Sequence, residues 1–149
     1  MGLVLFDIET DGLIDEVTKV YCMSYTTDGE TIETVTRLPD MVSLIGDSSF
    51  VVGHNIGVYD LPVMEKLGQL DFKGLIIDTL WLSWYLYPSR NKHGLEDWGE
   101  ELGFPKVKVE KEEWKEGNMD LMRERCERDI RINWLLWERQ CKLLKNLYE

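Results

Sequence analysis

The chain opens on an apolar run, Leu3-Val4-Leu5-Phe6, carried on by Ile8 and closed by Thr10-Asp11-Gly12. Apolar and aromatic residues bounded by turn chemistry predict a buried strand. Residues 17–27 predict a second strand, Asp28-Gly29 a hairpin turn, and residues 31–37 a third strand, together an antiparallel meander. The pattern then alternates between short apolar runs and helical spacing. Residues 39–45 suit a short helix, and Phe50-Val51-Val52-Gly53 a short buried strand. Residues 59–70 suit a helix with Pro62 in its first turn, where a missing N–H is tolerated. Residues 75–77 predict a fifth strand, and Asp78-Thr79 caps a helix that reaches Tyr87 and stops at Pro88. A short helix over 95–102 stops at Gly103, residues 104–117 read as irregular and charged, and a long helix follows over 119–147. In that last helix Met122, Cys126, Ile130, Trp134, Trp137, Cys141 and Leu144 fall close to helical spacing.

Strands first, then strands alternating with helices, predict an α/β fold with a mixed sheet. The strand at 50–53 is expected parallel beside the first by a right-handed crossover, which gathers functional groups where the first strand ends. The 149 residues suffice for one domain, expected to span 1–149. Sixteen aromatic residues, six of them Trp, support a substantial core.

Charge narrows the function. The net charge of -11 argues against a module that coats nucleic acid passively, since such modules are usually basic. It leaves room for an enzyme that meets phosphates through divalent cations. Cys22, Cys126 and Cys141 form no metal-spacing motif, and an odd count fits a reducing compartment better than a disulfide framework. No secretory leader or membrane span is expected, and the expected location is the cytoplasm, the host's if the source is viral.

Two acids interrupt the apolar opening strand. Asp7 and Glu9 are two apart, so both side chains leave the same sheet face. Two buried carboxylates repel and lose hydration, a cost that a cation relieves; the other reading is a solvated strand end. Asp60 follows a Gly-bearing loop at a helix start and reads either as an acid favoured by the helix dipole or as a ligand. Asp129 lies beside the apolar stripe of the last helix, paired with Arg125 or Arg128 or turned toward a metal.

Together these stretches resemble the DEDD family of 3′→5′ exonucleases with a ribonuclease H-like fold. The likeness is nearest to the proofreading exonuclease domains of bacteriophage family A DNA polymerases. It rests on Phe6-Asp7-Ile8-Glu9-Thr10, on Gly53-His54-Asn55 with Tyr59-Asp60, on Cys126-Glu127-Arg128-Asp129, and on His93-Gly94-Leu95-Glu96-Asp97-Trp98-Gly99. The resemblance implies a five-stranded mixed sheet with flanking helices and a long C-terminal helix. It implies that Asp7 bridges two divalent cations, Mg2+ or Mn2+, that Glu9 and Asp129 complete one site, and that Asp60 holds the other. Hard cations take oxygen ligands, and such a pair can activate water and stabilise the leaving 3′ oxygen of a phosphodiester. The implied substrate is the 3′ end of single-stranded DNA, in proofreading or DNA processing beside a polymerase. A 3′→5′ exoribonuclease that trims oligoribonucleotides, or a non-catalytic nucleic-acid-binding domain on the same fold, are the alternatives. The chain has no room for polymerase palm, fingers and thumb, so a polymerase would be a separate partner or the protein from which this domain comes.

Thr10, Leu13 and Asn55 match substrate-contacting positions, with Leu13 either a wedge against the terminal base or a turn-flanking core residue, and Asn55 either a substrate contact or the residue that fixes the Asp60 loop. His54 is expected to pack and hydrogen-bond. Trp98 and Trp114 read as packing residues or base-stacking platforms. Lys106, Lys108 and Lys111 read as a solvated face or as contacts to a strand backbone. One departure stands out. The family places a Tyr four residues, or a His five residues, before the last Asp to orient the attacking water. Here those positions hold Arg125 and Glu124. Arg stays protonated and cannot serve as a general base. On a helix it shares a face with Asp129, where it can contact the scissile phosphate or orient water through another group.

Overall fold

A computed structural model describes residues 2–105 and 118–148. Lys106, Lys108, Lys111 and Trp114 lie outside the described residues. Five strands form one mixed sheet: β1 (Leu3–Thr10), β2 (Val20–Thr26), β3 (Glu33–Val35), β4 (Phe50–Gly53) and β5 (Leu75–Asp78), in spatial order β3-β2-β1-β4-β5. β1 pairs antiparallel with β2 and parallel with β4, so the meander and the crossover expected from the sequence both form. The helices are α1 (Leu38–Gly46), α2 (Leu61–Gly68), α3 (Thr79–Leu86), α4 (Leu95–Glu101) and α5 (Met119–Tyr148). None of the described helices is long and apolar enough to cross a membrane.

β1 is sorted by its period of two. Val4, Phe6 and Ile8 face one core with Met41 and Ile45 of α1 and Val63 and Met64 of α2. Leu5 faces a second core with Val52 and Ile130, capped by Trp134 and Trp137 of α5. Asp7 and Glu9 continue the Leu5 side, and so point toward α5. The β1–β2 register slips immediately after Glu9, where Thr10 pairs with Val20 rather than the next residue in line. This bulge ends regular pairing beside the acids.

The elements differ from expectation at their edges, for local reasons. β3 is shorter than 31–37. The Asp28 carboxylate accepts the N–H groups of Glu30 and Thr31, which closes the turn and removes Thr31 from the strand, while Arg37 becomes the residue before α1. Gly29 holds φ of +81°, and a Cβ there would lie 2.1 Å from the Trp134 ring, so both backbone and packing require glycine. The helix expected from Tyr59 is preceded by a π-helical turn, Ile56–Asp60, before α2.

Candidate active site

The turn between β4 and α2 is built to bring Asp60 back against β1. Gly53 ends β4 so close to β1 that an added Cβ would stand 2.3 Å from Ile56 Cγ2 and 3.0 Å from the Phe6 carbonyl oxygen. Asn55 follows in the left-handed conformation, which Asn tolerates better than most residues. The Asp78 carboxylate at the end of β5 then clamps the turn. It accepts N–H from Asn55 at 2.8 Å and Gly57 at 3.0 Å, and from Leu80 at 3.0 Å as the cap of α3. The chain continues through the π-helical turn, a geometry often found at functional sites. Asp60 ends buried, accepting the backbone N–H of Ile8. Its Oδ2 has no hydrogen-bond partner among the described residues.

Asp129 arrives from α5, whose stripe of Met122, Cys126 and Ile130 packs on the sheet. Its carboxyl is in hydrogen-bonding contact with that of Asp7. Two ionised carboxylates side by side repel, a cost that a proton or a cation relieves. Burial, with the negative charges of Asp129, Asp60 and Glu9, pushes Asp7 well above the usual carboxylate range. Burial and Asp129 push Glu9 to about 8, against the opposing pull of Arg125. Burial raises Asp60 as well, and raises Asp129 to about 6 against Arg125 and Arg128. The four acids picked out in the sequence are thus brought together, in a state that favours positive charge. Hard oxygen donors, mutual repulsion and a buried carboxylate oxygen without a partner fit a divalent cation.

Beside them a pocket of about 140 Å³ is lined by Asp129, Arg125, Arg128, Glu96, Leu95, Phe104 and Ile132. Arg125 therefore faces the site, as its helical spacing predicts, whereas Glu124 is exposed and outside that lining. Arg128 bonds the Pro105 carbonyl and lies over the Phe104 ring.

The remaining candidates separate. Leu13 is 72% exposed and is not a core residue. The Thr10 hydroxyl bonds the Tyr59 hydroxyl, and Tyr59 donates to the Gly12 carbonyl at 2.5 Å, which fixes the turn bearing Leu13. Asn55 is half-buried at the turn. His54 is structural: its ring nitrogens meet Thr79 Oγ1 and the His93 carbonyl at 2.8 Å, and burial holds its pKa down. Trp98 is buried with its indole N–H on Ser83, which leaves it no face for a base. Four residues with a part in the site were not singled out for it from the sequence. Asp78 looked like a helix cap and Tyr59 like a helix start, and Glu96 stood in the His93–Gly99 stretch without a role of its own. Cys126 passed for one more apolar position, yet its thiol donates to the Asp7 carbonyl oxygen at 3.2 Å and to Asp7 Oδ2 at 3.5 Å.

No family model matches the chain, and no curated protein matches it either. Solved structures do. A structure described as the apo form of a nuclease aligns with 97% of this chain and 74% of its own, at 18% identity and a TM-score of 0.72. The family B DNA polymerase of the archaeon Pyrobaculum calidifontis aligns with 92% of this chain at 17% identity and a TM-score of 0.66; the chain spans about a quarter of that polymerase, 24%. Brucella melitensis NrnC bound to pGG covers 97% of this chain and 84% of its own, at 16% identity and a TM-score of 0.57. NrnC with bound Mg2+ aligns at 18% identity and a TM-score of 0.55. The fold is therefore one that nucleases share: the ribonuclease H-like mixed sheet with flanking helices and a long last helix.

Proposed function

We propose that this chain is a single metal-dependent 3′→5′ exonuclease domain of the DEDD class, which removes nucleotides from single-stranded DNA ends. The observation that carries the reading is the convergence of Asp7, Glu9, Asp60 and Asp129 at the end of β1, with the charges of Asp129, Asp60 and Glu9 all acting on Asp7 and with Asp60 Oδ2 lacking a partner among the described residues. The nuclease-like fold and the Mg2+ in one NrnC structure support it.

In this reading Asp7, Glu9 and Asp129 would hold one divalent cation, Mg2+ or Mn2+, and Asp60, with Asp7, would hold a second. The pair supplies an activated water and charge stabilisation at the departing oxygen. The protein's own groups do the rest. Arg125 takes the scissile phosphate, a planar donor matched to phosphate oxygens. Glu96, across the same pocket, holds the attacking water and accepts its proton, in place of the absent Tyr or His. Leu13, exposed at the end of the Thr10–Tyr59–Gly12 network, abuts the terminal base, and Asn55 borders the nucleotide. With a net charge of -11, retention on DNA falls to a partner, a separate polymerase or the polymerase that contains this domain.

The test is digestion of a 5′-labelled single-stranded oligonucleotide with Mg2+ or Mn2+. A ladder shortening from the 3′ end, absent in chelator and in Asp7→Ala, is expected; intact substrate, or a ladder that Asp7→Ala leaves in place, refutes the reading. A second reading, trimming of short oligoribonucleotides, draws on the pGG held by NrnC. Matched RNA in the same assay decides between them.

A further inference from the structure

A thiol stands among the four carboxylates, and the proposed hydrolysis has no use for it. Cys126 lies one turn before Asp129 on α5 and is fully buried. Its Sγ, a carboxylate oxygen of Asp7 and one of Glu9 all lie within 4.8 Å of one another. The thiol already points at Asp7, donating to its carbonyl oxygen at 3.2 Å and to Oδ2 at 3.5 Å. An independent feature lies against the same group. Asp60 is 4% exposed, close enough to Asp7 and Glu9 to interact with their charges, and its Oδ2 has no hydrogen-bond partner among the described residues.

Two kinds of cation would use this donor set differently. Mg2+ takes oxygens in a near-octahedral shell and keeps several waters, so it leaves a neutral thiol alone. A borderline-soft ion such as Zn2+ accepts thiolate together with carboxylate, usually in tetrahedral geometry. Tetrahedral bonds of zinc length set donor separations of roughly 3.3–3.5 Å. Cys126 Sγ and Asp7 Oδ2, 3.5 Å apart, already stand at that span, and Glu9, within 4.8 Å of both, closes on them in the direction that a cation pulls carboxylates which repel in its absence.

We infer that Asp7, Glu9 and Cys126 form a thiolate-bearing site for zinc-class divalent cations, which competes with the hard catalytic metal for Asp7 and Glu9. On binding, the Cys126 S–H bond breaks, a Zn–S bond forms, and the proton leaves to the buffer; no electron is transferred. Asp7 and Glu9 are then committed to a site that includes sulfur, and Zn2+ inhibits. That consequence rests on the exonuclease reading; the site does not.

Cobalt tests the site without reference to activity. Co2+ stands in for zinc and gives a near-ultraviolet sulfur-to-metal charge-transfer band only when thiolate is a ligand. The reduced, chelator-stripped chain should give the band at one equivalent, lose it when Zn2+ is added, and keep it in Cys141→Ser. Cys126→Ser should not give it. Absence of the band in the unmodified protein, or the same band in Cys126→Ser, overturns the inference. Should Cys126→Ser fail to fold, alkylation of the unmodified protein mapped by mass spectrometry decides: Zn2+ is expected to protect Cys126 where Mg2+ does not, and equal labelling overturns it. In the digestion assay, Cys126→Ser is expected to need at least about tenfold more Zn2+ for half-inhibition, the scale on which weakened metal sites lose affinity. A cobalt band in a protein that digests nothing would sink the exonuclease reading alone. Digestion without a band would sink the zinc site alone.

Discussion

Raising the pH of the metal-free protein from 6.5 to 8 should destabilise it, and the cause lies in Glu9. Its carboxyl titrates at about 4.5 in an unfolded chain and at about 8 here, so the folded state holds a proton that the unfolded state has lost. Stability falls with pH wherever the native state binds more protons, so this contribution is fully present below 4.5 and is lost as pH climbs to 8. Asp7 and Asp60, also raised, act in the same sense. Asp129, near 6, has mostly titrated by 6.5. His54 acts in the opposite sense. Its lowered pKa gives stability that is present above 6.5 and lost as pH falls, and starting the scan at 6.5 removes it. Over the remaining 1.5 pH units, at about 1.4 kcal/mol each, Glu9 alone costs about 2 kcal/mol. For a chain of this size that is a fall in Tm of roughly 4–8 °C. Thermal unfolding followed by circular dichroism in chelator measures it. Mg2+ or Mn2+ should remove most of the slope, because the cation replaces the proton, and Glu9→Gln should reduce it in chelator. A Tm that is level or rising between pH 6.5 and 8 without metal would refute the proposed crowding of carboxylates.

Other expectations follow from the same geometry. Asp60→Asn should raise the Tm of the metal-free protein at pH 8, since it removes a group whose ionisation burial opposes, and should abolish digestion; an unchanged or lower Tm in chelator counts against the desolvated state of Asp60. Asp78→Ala leaves three backbone N–H groups without their acceptor and should cost about 2–4 kcal/mol by urea unfolding, with Asp78→Asn costing less. Arg125→Ala should lower kcat about a hundredfold, with little change in KM for a long substrate. Glu96→Gln should lower kcat at least about a hundredfold; if kcat is unchanged, Glu96 does not take the proton.

Much of this was legible in the chain because strand periodicity is local. Two acids at a spacing of two, after Leu3 to Phe6, could only share a face, and that face proved to be the one that meets α5. Asp129 was legible because an Asp beside a stripe of Cys126, Ile130 and Trp134 contradicts the helix's own pattern. The residues that escaped notice agree with their local pattern. Cys126 reads as core and is core; only the approach of α5 to β1, set by packing over more than a hundred residues of chain, turns its thiol to Asp7. Asp78 reads as a cap and is one, but it also holds Asn55 and Gly57, partners more than twenty residues away. The π-helical turn escapes for the same reason. No residue in Ile56–Asp60 demands the wider turn; the Asp78 clamp and the burial of Asp60 under Ile8 impose it.

The charge of the chain and the charge of the site are aspects of one problem. Without cations, Asp7, Glu9, Asp60 and Asp129 repel one another, and they would repel a phosphodiester in the same way. Once these four give up their protons, Arg125 and Arg128 cannot balance them and Glu96, and the region is negative. On the proposed reading, cation binding would come before substrate binding, since each cation taken up would relieve the repulsion among the acids and open the site to an anion. Arg125 is the fixed positive group on that path: it lowers Glu9 and Asp129 before any metal arrives and stands at the pocket where a phosphate would enter. A tyrosine in its place could orient water but would leave the acids more crowded. The substitution that looked from the sequence like a loss of catalytic equipment therefore carries an electrostatic role of its own, and the pH dependence of stability in Arg125→Tyr, steeper than in the unmodified chain, would reveal it without reference to catalysis.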